Sequence, residues 1–147
     1  MNIQSLGHVV LKVTDIDRSV RFYTDVLGFR EVGRTPSGAM VFFCLAGNHH
    51  DFGIQLASPL DPDAEPSMTG VGHVAWKLGT DLESLRQARQ WLKTRGVEVW
   101  AALDHGATKS LYFSDPDGHT LEVFVESEPS VWREDPGIVA SGAPLTL

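Results

Sequence analysis

The sequence has one cysteine, Cys44, among its 147 residues, so no disulfide can form within the chain. It also lacks a long apolar run, because no stretch reaches the roughly 18 residues expected of a membrane-spanning helix. Basic residues are few, with 12 Lys and Arg against 19 Asp and Glu, and the net charge is −7. An acidic chain without a basic cluster is not expected to bind nucleic acid.

The rest of the composition is that of an ordinary globular protein, 42% hydrophobic and 21% charged. A chain of 147 residues can bury a core without disulfides or structural metals, and it is short enough to form one domain. The first residues lack the charged segment and the apolar segment of a secretory signal peptide. The sequence therefore predicts a cytoplasmic protein that consists of a single domain.

A short motif occurs twice in the chain. Residues 7–13 read GHVVLKV and residues 72–78 read GHVAWKL. Each run has the apolar and β-branched residues of a strand, and each is followed by a helical pattern, a glycine and three further strand-like segments. The repeat predicts two βαβββ modules of an α+β fold.

The predicted modules have these limits: module one 5–57, a Pro-, Asp- and Ser-rich linker 58–70, module two 71–126 and a tail 127–147. We expect the tail to be an extended segment laid over the domain. Each module would have a helix on one face of its sheet and an apolar surface on the other. Pairing the two sheets edge to edge predicts a half-open barrel with side chains of first and fourth strands in its interior.

The repeat places His8 and His73 at the same position of the two modules, and Glu122 lies near the end of the second, in LEVFVE. Two imidazoles and one carboxylate from three strands form the donor set of a facial metal triad, which leaves coordination positions open. Each residue has another interpretation, because a strand histidine is often a hydrogen-bonded core residue and Glu122 could face solvent. The matched placement favours a metal. The position equivalent to Glu122 in module one is expected near Gln55.

The paired modules and these motifs resemble the vicinal oxygen chelate superfamily, over most of residues 5–126. That superfamily includes glyoxalase I, bleomycin-resistance proteins, fosfomycin-resistance enzymes and type I extradiol dioxygenases. The dioxygenases hold iron through a His on the first strand of each module and a Glu on the last strand of the second. His8, His73 and Glu122 match these ligands. The resemblance implies Fe(II), with Mn(II) as the alternative, and a catechol and O2 as substrates.

The resemblance also implies three catalytic residues. NHHDFGIQL matches the segment before the fourth strand of module one, with His50 better aligned than His49. DHGATKSLYF contains the matches His105 and Tyr112, and YFSDPDGHTLE then leads to the ligand Glu. His50 would act as acid and base, while the other two stabilise charge on oxygen. The ring would open beside its hydroxyls to give a muconic semialdehyde type of product.

Two other functions stay open on sequence grounds. A glyoxalase-like isomerase or lyase would normally need a fourth ligand, for which Gln55 is a weak candidate. A metal-free protein that binds an aromatic drug would lack the triad. We also expect a homo-oligomer, a dimer or larger, because open sheet edges favour pairing and the tail near Trp132 could form a contact.

Overall fold

A computed structural model describes most of the chain. The described residues are 6–45, 50–57, 71–135, 137–138 and 141–147. The chain forms two compact units, residues 1–68 and 69–147, and each unit contains one sheet. Within the described ranges, none of the helices has the length and apolar character needed to cross a membrane.

The described part of unit one contains four strands and one helix. Its elements are β1 Val9–Val13, α1 Ile16–Arg21 with a π-helical continuation Phe22–Val26, β2 Arg30–Arg34, β3 Met40–Cys44 and β4 Phe52–Leu56. The sheet order is β1-β4-β3-β2, with β1 parallel to β4 and the other pairs antiparallel. Asp15 caps the N-terminus of α1, because its side chain accepts a hydrogen bond from the Arg18 backbone N–H at 2.9 Å.

The core of unit one lies on the helix-facing side of the sheet. Tyr23, Phe43 and Phe52 are fully buried there, and the Tyr23 and Phe52 ring centroids are 4.7 Å apart. Since side chains alternate along a strand, Phe42 and Gly53 lie on the opposite face. That second face is the one on which the sequence predicts the functional residues.

Unit two repeats this order and extends it. Its elements are β5 Val74–Gly79, α2 Leu82–Thr94, β6 Val99–Asp104, β7 Thr108–Ser114, β8 Thr120–Glu126, α3 Pro129–Glu134 and β9 Ala143–Pro144. The sheet order is β5-β8-β7-β6-β9, again with the first and fourth strands of the module parallel. The α+β class and the βαβββ order of both modules are confirmed. The half-open barrel and the exact domain limits stay predictions.

Helix α2 packs on one face of this sheet through the buried Leu85 and Leu92. Asp81 caps it, with its carboxylate accepting hydrogen bonds from the backbone N–H groups of Glu83 at 3.1 Å and Ser84 at 3.0 Å. These bonds hold the pKa of Asp81 below its ordinary value. The helix therefore begins directly after its Asp81 cap.

The tail differs from the extended segment that we expected. It forms the helix α3, and its two-residue strand β9 pairs with Leu103 and Asp104 of β6. A helix of six residues spans less than two turns, so its sequence carries no detectable period. The chain's own tail covers part of the β6 edge, which was one of the edges expected to favour oligomer formation.

The turn between β7 and β8 is built around Asp115, whose side chain is fully buried. Its carboxylate accepts hydrogen bonds from the backbone N–H groups of Asp117 and His119, both at 2.9 Å, and lies 2.9 Å from the His119 Nδ1 atom. His119 is thereby a structural residue of the turn. This turn fixes the start of β8, the strand that carries Glu122.

We expect Asp115→Ala to lower the free energy of unfolding by about 2–4 kcal/mol, because the change removes a buried carboxylate and leaves its partly buried donors without their charged acceptor. Ser114→Ala, at the exposed neighbouring position, should change it by less than about 0.5 kcal/mol. Chemical denaturation of both variants measures the difference. An Asp115→Ala protein as stable as the parent would contradict this role for the turn.

Candidate functional site

Three of the sequence-predicted residues are neighbours on the sheet of unit two. Ala75 on β5 pairs with Glu122 on β8, and Glu122 pairs with Tyr112 on β7. His73 comes two residues before Ala75, so the period of two places it toward the same face. The apolar residues that alternate with Glu122 are buried on the α2 side. Strand alternation therefore directs Glu122 away from the helix.

His73 and Glu122 are in direct contact, with 3.1 Å between Nε2 and Oε2. Two ligand atoms each about 2.1 Å from one metal ion and at right angles are about 3.0 Å apart. The pair thus suits adjacent ligands of one ion as well as a hydrogen bond. Glu122 is only 6% exposed, and a buried carboxylate is costly unless a cation or a donor compensates it. The donor set fits a divalent metal.

Tyr112 connects this pair to His105. The Tyr112 hydroxyl lies 3.0 Å from His105 Nε2, and its ring centroid lies 6.0 Å from that of His73. Burial raises the pKa of the Tyr112 phenol above its ordinary value, and the negative charge of Glu122 raises it further. The phenol is therefore protonated at neutral pH and can donate a hydrogen bond.

We expect a spectrophotometric titration of the metal-free protein to show that Tyr112 ionises above the ordinary tyrosine pKa of about 10. Glu122→Gln should lower this pKa, because the variant lacks the charge that opposes a phenolate. Tyr112→Phe identifies the transition, since the chain has only two tyrosines. If the Tyr112 pKa is the same in Glu122→Gln and in the parent, the electrostatic coupling is wrong.

His105 is positioned by the turn that follows β6. Gly106 has a φ of +74°, in the left-handed region that favours glycine, and its N–H donates to Asp104 Oδ1 at 2.8 Å. The imidazole of His105 is bound at both nitrogens, because Nδ1 lies 2.6 Å from the Ser141 carbonyl oxygen. The sequence did not predict this contact with Ser141, since a backbone carbonyl has no residue-type signature.

Unit one brings together its own two predicted residues. The His8 and His50 ring centroids are 4.5 Å apart, and Phe42 packs against His50 at 5.1 Å. The cause is the parallel pairing of β1 with β4, which aligns Val9 with Phe52 and brings the preceding residues side by side. A predicted ligand thus lies beside the predicted acid/base residue. His49 lies outside the described residues.

The residue of unit one that is equivalent to Glu122 is Gly53. The expectation from the sequence, Gln55, was wrong. Val10 pairs with Gly53 in unit one as Ala75 pairs with Glu122 in unit two. A Cβ atom at Gly53 would lie 3.3 Å from Val10 Cγ2, so the slot is filled by its neighbours. Unit one therefore offers no side-chain donor at this position. The sequence suggested Gln55 because the lengths of the preceding loops were unknown.

No group of three or more His, Cys, Asp or Glu side chains arranged to hold a metal ion is found in the part of the chain that the structure describes. What the structure brings together is the His73–Glu122 contact in unit two and the His8–His50 contact in unit one. The complete triad of His8, His73 and Glu122 stays a prediction.

Comparison with known proteins identifies relatives with different activities. The chain is 32% identical over 125 residues to biphenyl-2,3-diol 1,2-dioxygenase 3 of Rhodococcus globerulus, covering 83% of this chain and 63% of the relative. The chain thus spans less than two thirds of that dioxygenase. It is also 33% identical over 131 residues to glutathione transferase FosA of Serratia marcescens, covering 85% of this chain and 83% of the relative.

The fold comparison agrees with these sequence relatives. A glyoxylase/bleomycin resistance protein/dioxygenase domain from Frankia sp. EAN1pec superposes with a TM-score of 0.72 at 20% identity, covering 90% of this chain and 99% of that one. At that identity the likeness concerns the fold alone. The family model that matches residues 5–123 describes a superfamily with several activities and does not single out one of them. The chain belongs to the glyoxalase/bleomycin resistance protein/dioxygenase superfamily.

Proposed function

We propose that this protein is an Fe(II)-dependent extradiol dioxygenase that inserts O2 into a catechol ring beside its two hydroxyls. The observation that supports this most is the series of contacts His73–Glu122–Tyr112–His105 in unit two. It joins two proposed metal ligands to two groups that can act on protons or on charged oxygen. Mn(II) is the alternative metal.

The proposed ligands are His8, His73 and Glu122. A bound Fe(II) would supply coordination positions for the catechol oxygens and for O2, and a path for electron density between them. Glu122 contributes a carboxylate that is buried and held against His73. His73 is about half exposed, with 49% of its side-chain area accessible, so its ring does not carry the packing of the unit.

His50 is the proposed acid and base. Histidine exchanges protons readily near neutral pH, and this ring packs against the proposed ligand His8. From that position an unprotonated ring nitrogen of His50 would accept a proton from a catechol hydroxyl and return it to oxygen as the ring opens. Phe42 also packs against this ring, at 5.1 Å between centroids, which limits the orientations that His50 can adopt.

Tyr112 and His105 are the proposed stabilisers of charge on oxygen. Burial and the charge of Glu122 raise the pKa of the Tyr112 phenol, so it holds its proton more strongly than an ordinary tyrosine does. When negative charge develops on an oxygen atom of the substrate, the phenol can turn its proton from His105 Nε2 to that oxygen and stabilise the charge. Trp100 lies 5.6 Å from Tyr112 between ring centroids and is 53% exposed, which offers an apolar surface for an aromatic substrate.

A second function, a metal-dependent thiol transferase, is supported by the similarity to FosA, which extends over most of both chains. The glyoxalase-like isomerase or lyase has less support, because Gly53 leaves the position equivalent to Glu122 without a fourth donor. A metal-free binding protein has less support as well, because it would not explain a buried Glu122 held against His73.

Parallel assays of the same Fe(II)- and Mn(II)-loaded protein separate these functions. One assay follows oxygen uptake with a panel of substituted catechols, and the other follows consumption of glutathione with electrophilic substrates under anaerobic conditions. The proposal predicts catechol-dependent oxygen uptake and a yellow product, with no thiol consumption. Thiol consumption without oxygen uptake would replace the dioxygenase with the transferase.

A further inference from the structure

The tail of the chain reaches the same histidine that contacts Tyr112. Ser141 lies two residues before β9, and its carbonyl oxygen is 2.6 Å from His105 Nδ1. Pairing of Ala143 with Asp104 holds the tail in place, and so does the hydrogen bond from the Leu145 N–H to the Ala102 carbonyl at 2.9 Å. The position of the Ser141 carbonyl is thus set by main-chain pairing with β6, the strand that leads into His105.

The chemistry of these contacts determines where the protons are. A carbonyl oxygen can only accept a hydrogen bond, so His105 Nδ1 must carry a proton. In the neutral imidazole the other nitrogen, Nε2, then has only a lone pair. The Tyr112 hydroxyl at 3.0 Å from Nε2 must be the donor of that hydrogen bond.

We propose that the Ser141 carbonyl is a positioning group, which fixes His105 as the Nδ1–H tautomer and thereby leaves the Nε2 lone pair as an acceptor for the Tyr112 hydroxyl. The assignment of protons stands by itself, and its role in catalysis rests on the proposed dioxygenase function. No sequence motif marks this role, since the group belongs to the backbone of the tail.

The opposite tautomer would have a different consequence for the site. An Nε2–H group on His105 would donate to the Tyr112 oxygen, and the phenol proton would then turn to another acceptor. The cross-strand partner of Tyr112 is Glu122, so its carboxylate would be the acceptor at hand. The tail therefore keeps His105 Nε2 available as an acceptor for the Tyr112 proton.

The test is the protonation pattern of the His105 ring by ¹⁵N NMR on the full chain, without paramagnetic metal. His105→Gln assigns the signals. We expect the parent to show a protonated Nδ1 and an unprotonated Nε2 at a pH where the ring is neutral. Tyr112→Phe should keep the Nδ1–H pattern, because Ser141 and not Tyr112 sets the tautomer. An Nε2–H parent, or loss of the pattern in Tyr112→Phe, would overturn the proposal.

Ala143→Pro tests the part played by the tail, because a proline cannot donate a hydrogen bond from its backbone to Asp104. It should lose the Nδ1–H preference, whereas Thr146→Pro, outside the paired residues, should keep it. Backbone spectra verify that both variants fold. An unchanged His105 pattern in folded Ala143→Pro would overturn the role of the tail.

Activity adds an independent readout on the same variants. With iron and a catechol, Ala143→Pro should lower kcat by about 10-fold or more, as loss of a supporting hydrogen bond does, while Thr146→Pro keeps the parent value. A changed tautomer with unchanged kcat would remove the catalytic role of the contact. If the parent itself cleaves no catechol, the proposed function fails, while the ring-nitrogen pattern still decides the tautomer.

Discussion

His73→Ala is expected to abolish the retention of metal while leaving the fold intact. The change removes one of three proposed ligands, so it should cost more than the roughly 10–100-fold in affinity that a mere supporting group contributes. The fold should survive because the side chain is about half exposed, at 49%. Metal content after dialysis measures the loss, and circular dichroism verifies the secondary structure.

His105→Gln is the matched control, because it changes a histidine of the same unit that is not a proposed ligand. This variant should retain one metal ion per chain. Glu122→Gln should lose the ion as His73→Ala does, since both side chains belong to one pair 3.1 Å apart. A His73→Ala protein that holds iron as well as the parent would mean that the triad is misassigned.

His50→Gln should keep both iron and catechol binding and slow turnover by ~10²–10⁴, which is the usual contribution of general acid–base catalysis. The reason is its position, since it packs against His8 without belonging to the proposed ligands. Glutamine keeps a polar side chain of similar length but does not exchange protons near neutral pH. Steady-state oxygen uptake, with iron content measured on the same samples, gives the effect per metal ion.

The neighbouring histidine supplies the control for this prediction. We expect His49→Gln to have nearly the parent activity, on the hypothesis that His49 faces away from the site. Equal activity in His50→Gln and in the parent would remove the acid/base assignment. Loss of iron from His50→Gln would instead show that His50 belongs to the ligand set.

The fold could be predicted because its signals are local and occur twice. The GHVVLKV and GHVAWKL runs mark equivalent first strands, and the glycines that end the helical patterns mark the same point in each module. Periodicity separates helix from strand within such segments. The structure adds the parallel pairing of β5 with β8, which places Glu122 beside the strand that His73 precedes.

Other features depend on distant contacts that no local pattern contains. The register that puts Gly53 opposite Val10 follows from backbone pairing, which a count of residues across loops of unknown length cannot provide. Helix α3 is too short to show a period. The Ser141 carbonyl acts through a backbone atom at a separation of 36 residues from His105, and any residue type would supply the same group.

The most direct test of the proposed function is the mass of the product. The protein is loaded with Fe(II) under anaerobic conditions, mixed with a substituted catechol and exposed to O2. A dioxygenase will consume one O2 per catechol and give a ring-opened product whose mass equals that of the catechol plus O2. Unchanged catechol, or oxygen consumption with a product that has gained no oxygen atoms, would contradict the proposal.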